Sequence, residues 1–199
     1  VLNASARYAP SPQVLIDLGT AEGKMLQDLR RRYPSSLSLG VDLSFPLLLF
    51  GKKGHPDLPL FCANVQDLAF LRSERFDLIV AAAVIEHLPC PRAMLRESHR
   101  LLKAGGVLII TTPHPRWERI ARALGFIKGE HHSVMAPPEV MSLCRNEHYR
   151  VLEHYGFMLS PVGLWGERRI ERFLRKIKLD RFLPNHLVVA QKKKPGGET

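Results

Sequence analysis

Short apolar runs alternate with helix-patterned segments along most of this 199-residue chain, and few arrangements bury such a pattern. A run such as Phe76 to Ala83 has no polar face, so helices must cover it on both sides. That is the signature of a mainly parallel sheet between two helical layers. The strands expected are Val14 to Leu18, Leu37 to Leu43, Leu60 to Ala63, Phe76 to Ala83, Val107 to Thr112, Phe157 to Val162 and His186 to Gln191. Helices are expected over Lys24 to Tyr33, near Ser44 to Lys53, over Pro91 to Lys103 and from Pro137 to about Tyr155. Pro34 ends the first of these, and Ala104-Gly105-Gly106 supplies glycines for the C-cap of the third. The segment 114–136 breaks the alternation and reads as a lid or substrate loop with a short helix. A basic amphipathic helix is expected over 167–183 and a disordered tail over 192–199, leaving a single domain over 1–191.

The first strand runs into Gly19-Thr20-Ala21-Glu22-Gly23. A glycine turn opening a helix lets backbone approach a ligand beside free amides. A dinucleotide fold would need G-x-G-x-x-G. Here Asp17 precedes the turn and glycines stand at its first and fifth positions, which suits a cationic amino-acid moiety better than a pyrophosphate. Asp42 ends the second strand, where a carboxylate accepts hydrogen bonds from ribose hydroxyls or caps the next helix.

Asp17 to Gly23, Asp42, Ala63-Asn-Val-Gln-Asp-Leu68, Phe76-Asp-Leu-Ile-Val80 with Val84-Ile-Glu-His-Leu88, and Arg100 to Gly106 arrive in order. Together they resemble the motif set of class I S-adenosylmethionine-dependent methyltransferases, over Val14 to about Lys192. The resemblance implies a Rossmann-like α/β fold with a seven-stranded, mostly parallel sheet whose last strand is antiparallel. It also implies S-adenosyl-L-methionine as cofactor and methyl transfer to an O, N or C acceptor on a small molecule. Gly19, Thr20, Ala21 and Gly23 would hold the methionine part, with Asp17 orienting its amino group. Asp42 would bind the ribose, with Leu43 beside it among the cofactor-binding residues, Asn64 and Val65 would read the adenine, and Ala81 or Ala82 would give backbone contact. Ala21 departs from the family's middle glycine, and Asn64 stands where Asp is commoner.

A general base typically gives about 10²–10⁴-fold, against roughly 7–11 kcal/mol from positioning, so a base helps without being obligatory. His87, His114, His131 and His132 fall on loops at the expected carboxyl edge, with His87, His114 and His132 carried as catalytic candidates; surface or structural roles stay open for each. Glu86-His87 with His131-His132 resembles a metal-assisted subgroup of the superfamily that uses Glu-x-x-Glu-His and a later His. Ala83 stands in place of the first Glu, so no metal is assigned. Trp117 and Trp165 could wall an acceptor or pack the fold.

The net charge is +10: residues 164–194 carry +7, residues 1–163 only +4, and Glu198 subtracts one. The basic face of 167–183 reads as solvated, as a peripheral contact with an anionic membrane, or as an RNA contact. RNA or ribosomal methylation and a catalytically weak binding module therefore stand as alternatives. Cys62, Cys90 and Cys144 show no metal or disulfide spacing and are expected as small buried hydrophobes. With no signal-peptide pattern and no apolar run long enough to span a bilayer, the expected location is cytoplasmic.

Overall fold

The computed structural model describes residues 1–123, 135–157, 171, 173, 174, 176 and 179–194. Its elements are α1 (Leu2–Tyr8), β1 (Val14–Leu18), α2 (Lys24–Arg32), β2 (Leu37–Asp42), α3 (Phe45–Gly54), β3 (Leu60–Cys62) and β4 (Phe76–Ala82). A 3-10 turn (Ile85–His87) leads to α4 (Pro91–Leu101), β5 (Leu102–Pro113) and α5 (Pro115–Ala123). Then come α6 (Pro137–Asn146), β6 (Tyr149–Phe157), a second 3-10 turn (Asp180–Phe182) and β7 (Asn185–Lys192). The seven strands lie in the order β3-β2-β1-β4-β5-β7-β6. All pairs are parallel except the two that β7 makes with β5 and β6.

Alternation along the central strands feeds two cores. Ile16, Leu18, Ile79, Ile110 and Val188 face α4 and α6, packing with Met94, Leu95, Val140 and Tyr149. Leu15, Leu78, Val80, Ile109 and Val189 face α1 and α2, packing with Ala4, Leu26 and Leu29. At ~1.5–3 kcal/mol for each large apolar side chain, this burial on both faces is what holds the sheet together. The order reverses between β1 and β4, so the connections after them diverge and leave a crevice at the carboxyl ends of the strands.

Several expected boundaries move. The helix from Pro137 stops at Asn146, because His148 adopts φ 66° and turns the chain. Tyr149–Phe157 then pairs with β7, so the strand expected at 157–162 lies earlier, and 158–162 fall outside the described residues. The glycines after α4 are not its C-cap. That helix closes at Leu102, and Gly105 (φ 81°) and Gly106 bend the entry to β5, where a Cβ on Gly106 would meet Lys103 O at 2.9 Å. Lys192 belongs to β7 rather than to a tail, its Nζ donating to Leu102 O at 2.9 Å. Helix α1 carries no motif and adds to the expected elements. Cys62 and Cys90 are exposed; only Cys144 is a buried hydrophobe, its thiol pushed up to about 12 by burial. The basic segment lies mostly outside the described residues: Glu171, Phe173, Leu174 and Lys176 are helical, while Asp180–Phe182 form a 3-10 turn instead of continuing a helix. No described helix is long and apolar enough to cross a membrane.

Candidate active site

The glycine turn leaves β1 by crossing to β2. Gly19 N and Thr20 N both donate to Val41 O, at 2.7 and 3.0 Å. Gly19 holds φ 70°, and a Cβ there would sit 2.1 Å from Val84 Cγ2, so the turn and the post-β4 loop touch backbone to side chain. Only glycine fits this position on both counts.

Asp42 ties the turn to the second strand. Its Oδ2 accepts from Ala21 N and its Oδ1 from Ser44 N, both at 2.8 Å. The helix-cap alternative thus becomes a local turn at Ser44, while the carboxylate keeps lone pairs toward the cavity. Ala21 supplies that amide from φ 47°, a conformation costing a residue with a Cβ roughly 1–2 kcal/mol.

Asp17 is buried below the turn. It accepts from Thr20 Oγ1 at 2.6 Å, yet burial pushes its carboxyl up to about 7, with the neighbouring Asp42 adding to the rise. Asn64 Oδ1 accepts from Gln66 N at 3.0 Å, and Gln66 Oε1 in turn accepts from Cys90 N at 3.0 Å, bracing the loop after β3 against the start of α4.

A cavity of about 480 Å³ opens here, within the roughly 300–1,000 Å³ of ligand sites. The structure brings Gly19, Ala21, Asp42, Leu43, Asn64, Val65 and His87 to its wall. Asp17, Thr20 and Gly23 lie behind that wall as supports. Ala81 is buried in β4, and beyond the end of that strand Ala83 and Val84 line the cavity. Gln66, inside the Ala63–Leu68 motif but given no role there, also lines it, as does Leu47, which lies in no motif.

His114 is not in this cavity. Its Nδ1 accepts from Arg116 N at 3.1 Å and its ring lies 4.9 Å from that of His186. His131 and His132 fall outside the described residues, as does Trp165. Trp117 Nε1 donates to Phe182 O at 2.7 Å, fastening α5 to the turn before β7. Glu86 and His87 face apart: His87 is exposed at the cavity, while Glu86 is buried beside Thr112, its carboxyl raised to about 7 by burial and by Glu118. Among the described residues no three His, Cys, Asp or Glu side chains group as a metal site.

Residues unmarked in the sequence gather across β5, β6 and β7. Thr112 pairs with His186 in register, and His186 Nδ1 lies 3.0 Å from His154 Nε2. His154 and His186 are 32 residues apart, so only the strand register reveals the pair.

Residues 16–110 match the methyltransferase domain family. The chain is 24% identical over 175 residues to a ubiquinone biosynthesis O-methyltransferase of Bradyrhizobium sp. (strain ORS 278), covering 81% of this chain and 68% of that protein. It is 32% identical over 104 residues to a trans-aconitate 2-methyltransferase of Acidovorax sp. (strain JS42), covering 52% and 40%. The fold superposes with a TM-score of 0.73, at 17% identity and 98% and 89% coverage, on the structure titled as a complex between the Haloferax volcanii Trm112 methyltransferase activator and a methyltransferase. The ordered motifs, the crevice at the strand reversal and these likenesses together support a class I S-adenosylmethionine-dependent methyltransferase.

Proposed function

We propose that this enzyme methylates a small-molecule acceptor, with the cofactor held in the cavity between the Gly19 turn, Asp42 and the Asn64-Val65 loop. The observation that carries the reading is the Gly19–Val84 contact beside the doubly bonded Asp42, a cradle that a Cβ would fill. Asp42 would accept the ribose hydroxyls, Val65 N would face the adenine, and Ala21 and Gly23 would keep the backbone close to the methionine part. When bound, S-adenosylmethionine supplies a sulfonium methyl group with a neutral thioether as leaving group.

The protein's own task is to bring the acceptor to the open side at Ala83 and His87. His87 is exposed at the cavity wall and is placed to orient an acceptor or to take its proton. The similarity to ubiquinone-biosynthesis O-methyltransferases supports a small hydroxylated acceptor. Assaying S-adenosylhomocysteine release with catechols, polyprenylphenols and carboxylates tests this. Turnover with a small acceptor is expected. Turnover with RNA alone, with RNA retention that weakens steeply with salt, would replace this reading by the nucleic-acid one.

One surface favours a protein partner as well. Helix α3 buries only Leu48 and Gly51 while Phe45, Leu49 and Phe50 stay exposed, beside the edge strand β3 with exposed Phe61. The Haloferax relative was solved with an activator protein. Replacing Phe45 and Phe50 by Ser is expected to raise solubility of the isolated chain and to leave S-adenosylhomocysteine affinity unchanged; lowered solubility would count against a covered face.

A further inference from the structure

Beyond the cofactor cavity, and among the described residues, three buried polar atoms at the carboxyl edge meet no partner in good hydrogen-bond geometry: Glu86 Oε2, Thr112 Oγ1 and His186 Nε2. The Thr112 hydroxyl is nevertheless near enough to the Glu86 carboxyl to lower its pKa against the effect of burial. The residues are 2%, 2% and 1% exposed. An orphaned buried donor or acceptor costs about 1–3 kcal/mol, so three in one neighbourhood mark a place built for something that completes them. They do share one neighbourhood. Thr112 and His186 stand opposite each other on β5 and β7 and so present the same face, and the Thr112 hydroxyl lies beside the Glu86 carboxyl.

Behind His186 the hydrogen-bonding continues. Its Nδ1 meets His154 Nε2 at 3.0 Å with the two rings stacked, 16° apart. His154 feels the charge of Asp180, whose Oδ2 is held by Gly156 N at 3.1 Å. His114 packs on the outer side of His186. Facing this group are Glu86 from the turn after β4, Arg116 and Glu118 from α5, and Asp180 from the turn before β7.

We propose that Glu86, Thr112 and His186 form the site for the acceptor's hydroxyl group, with His186 Nε2 receiving the hydroxyl proton and His154 relaying it toward Asp180. The proposal rests on the methyltransferase reading above and names its acceptor class: an uncharged hydroxyl compound. Burial and the neighbouring His154 and His114 push the His186 imidazole down to about 3, so it stands as a neutral base at pH 7. The buried groups thus present no cation to match a carboxylate or phosphate.

The proton and electron count closes. As the acceptor's O–CH3 bond forms, the C–S bond breaks and its electron pair stays on sulfur. The acceptor's O–H proton becomes the N–H of His186 Nε2, and the proton on His186 Nδ1 passes to His154 Nε2. Strands β4 and β7 lie two positions apart, about 10 Å, so an acceptor reaching from the Ala83–His87 wall to His186 has the span of a small ring or polyol.

Long-range proton–nitrogen NMR of the full chain, labelled at histidine and saturated with S-adenosylhomocysteine at pH 7, reads this directly. His186 is expected neutral, protonated on Nδ1 and bare on Nε2. Catechol at millimolar concentration is expected to move the Nε2 signal, and trans-aconitate to leave it unmoved. Thr112→Val is expected to keep the His186 tautomer and weaken catechol binding about 10-fold. A proton on Nε2 or a charged His186 overturns the proposal, as does silence toward catechol or a response to trans-aconitate instead. Calorimetry on the same sample separates the two levels: if S-adenosylhomocysteine does not bind, the cofactor reading falls first; if it binds and His186 stays silent, only the acceptor site falls.

Discussion

The two halves of the sheet treat buried polar groups in opposite ways. From β1 to the start of β4 each such group is answered from within the chain. Asp17 takes the Thr20 hydroxyl, and the partly buried Asp42 takes two backbone amides. From the turn after β4 to β7, among the described residues, Glu86 Oε2, Ser98 Oγ, Thr112 Oγ1 and His186 Nε2 are buried and left open. Preorganisation suits the first half, because the same cofactor returns every cycle and an ordered site binds it with less to rearrange. The second half must release product, and its open hydrogen bonds at the carboxyl edge belong to the ligand that completes them.

The contrast predicts unequal responses to mutation. The largest is at Gly19, where φ 70° and a 2.1 Å clash with Val84 act together. Gly19→Ala is expected to cost roughly 2–4 kcal/mol of stability and most of the cofactor affinity, read by denaturant unfolding and calorimetry. A well-tolerated alanine there would show that the turn is not the fixed half.

The same hydroxyl deletion should behave differently on the two sides. Thr20→Val removes a donor to a buried carboxyl and is expected to destabilise by about 1–3 kcal/mol. Thr112→Val removes an orphan and is expected to be neutral or stabilising by up to about 1 kcal/mol. Equal losses from both would erase the distinction.

Titration gives a smaller, graded effect. Asp17 and Glu86 both have carboxyls raised to about 7 in the folded protein by burial, against about 4 when unfolded. The folded state therefore binds more protons between those values, and its stability falls as pH rises through 7. Asp17→Asn and Glu86→Gln are each expected to flatten that slope in unfolding midpoints measured from pH 4 to 8. An unchanged slope would mean that neither carboxyl is held protonated.

Ala21→Gly should give the smallest change. It relaxes a left-handed backbone at φ 47°, with an expected gain of about 1 kcal/mol, and leaves the Ala21 N–Asp42 bond in place. A loss instead would mean that the methyl group makes contacts worth more than the strain.

Legibility followed the same division. The cofactor half was readable because its chemistry is local: Gly19 to Gly23 is one contiguous turn, and Asp42 and Asn64-Val65 end successive strands. Even there, Leu47 could not be foreseen, since it reaches the cavity through packing rather than motif. The acceptor half depends on register. Thr112, His154 and His186 carry no local pattern and meet only because β7 runs antiparallel between β5 and β6. The misplaced sixth strand hid them further: extending the preceding helix to Tyr155 put His154 on a helix and left it no route to His186. The backbone turn at His148 is what a helical hydrophobic pattern does not report.

The central claim is that the cavity at the strand reversal holds the cofactor through Asp42. Calorimetric titration of S-adenosylhomocysteine into the protein and into Asp42→Ala tests it most directly. Saturable binding is expected, weakened about 10–150-fold in the variant, the worth of hydrogen bonds to a charged group, with folding otherwise preserved. No binding to the unaltered chain, or the same affinity in Asp42→Ala, would contradict the account.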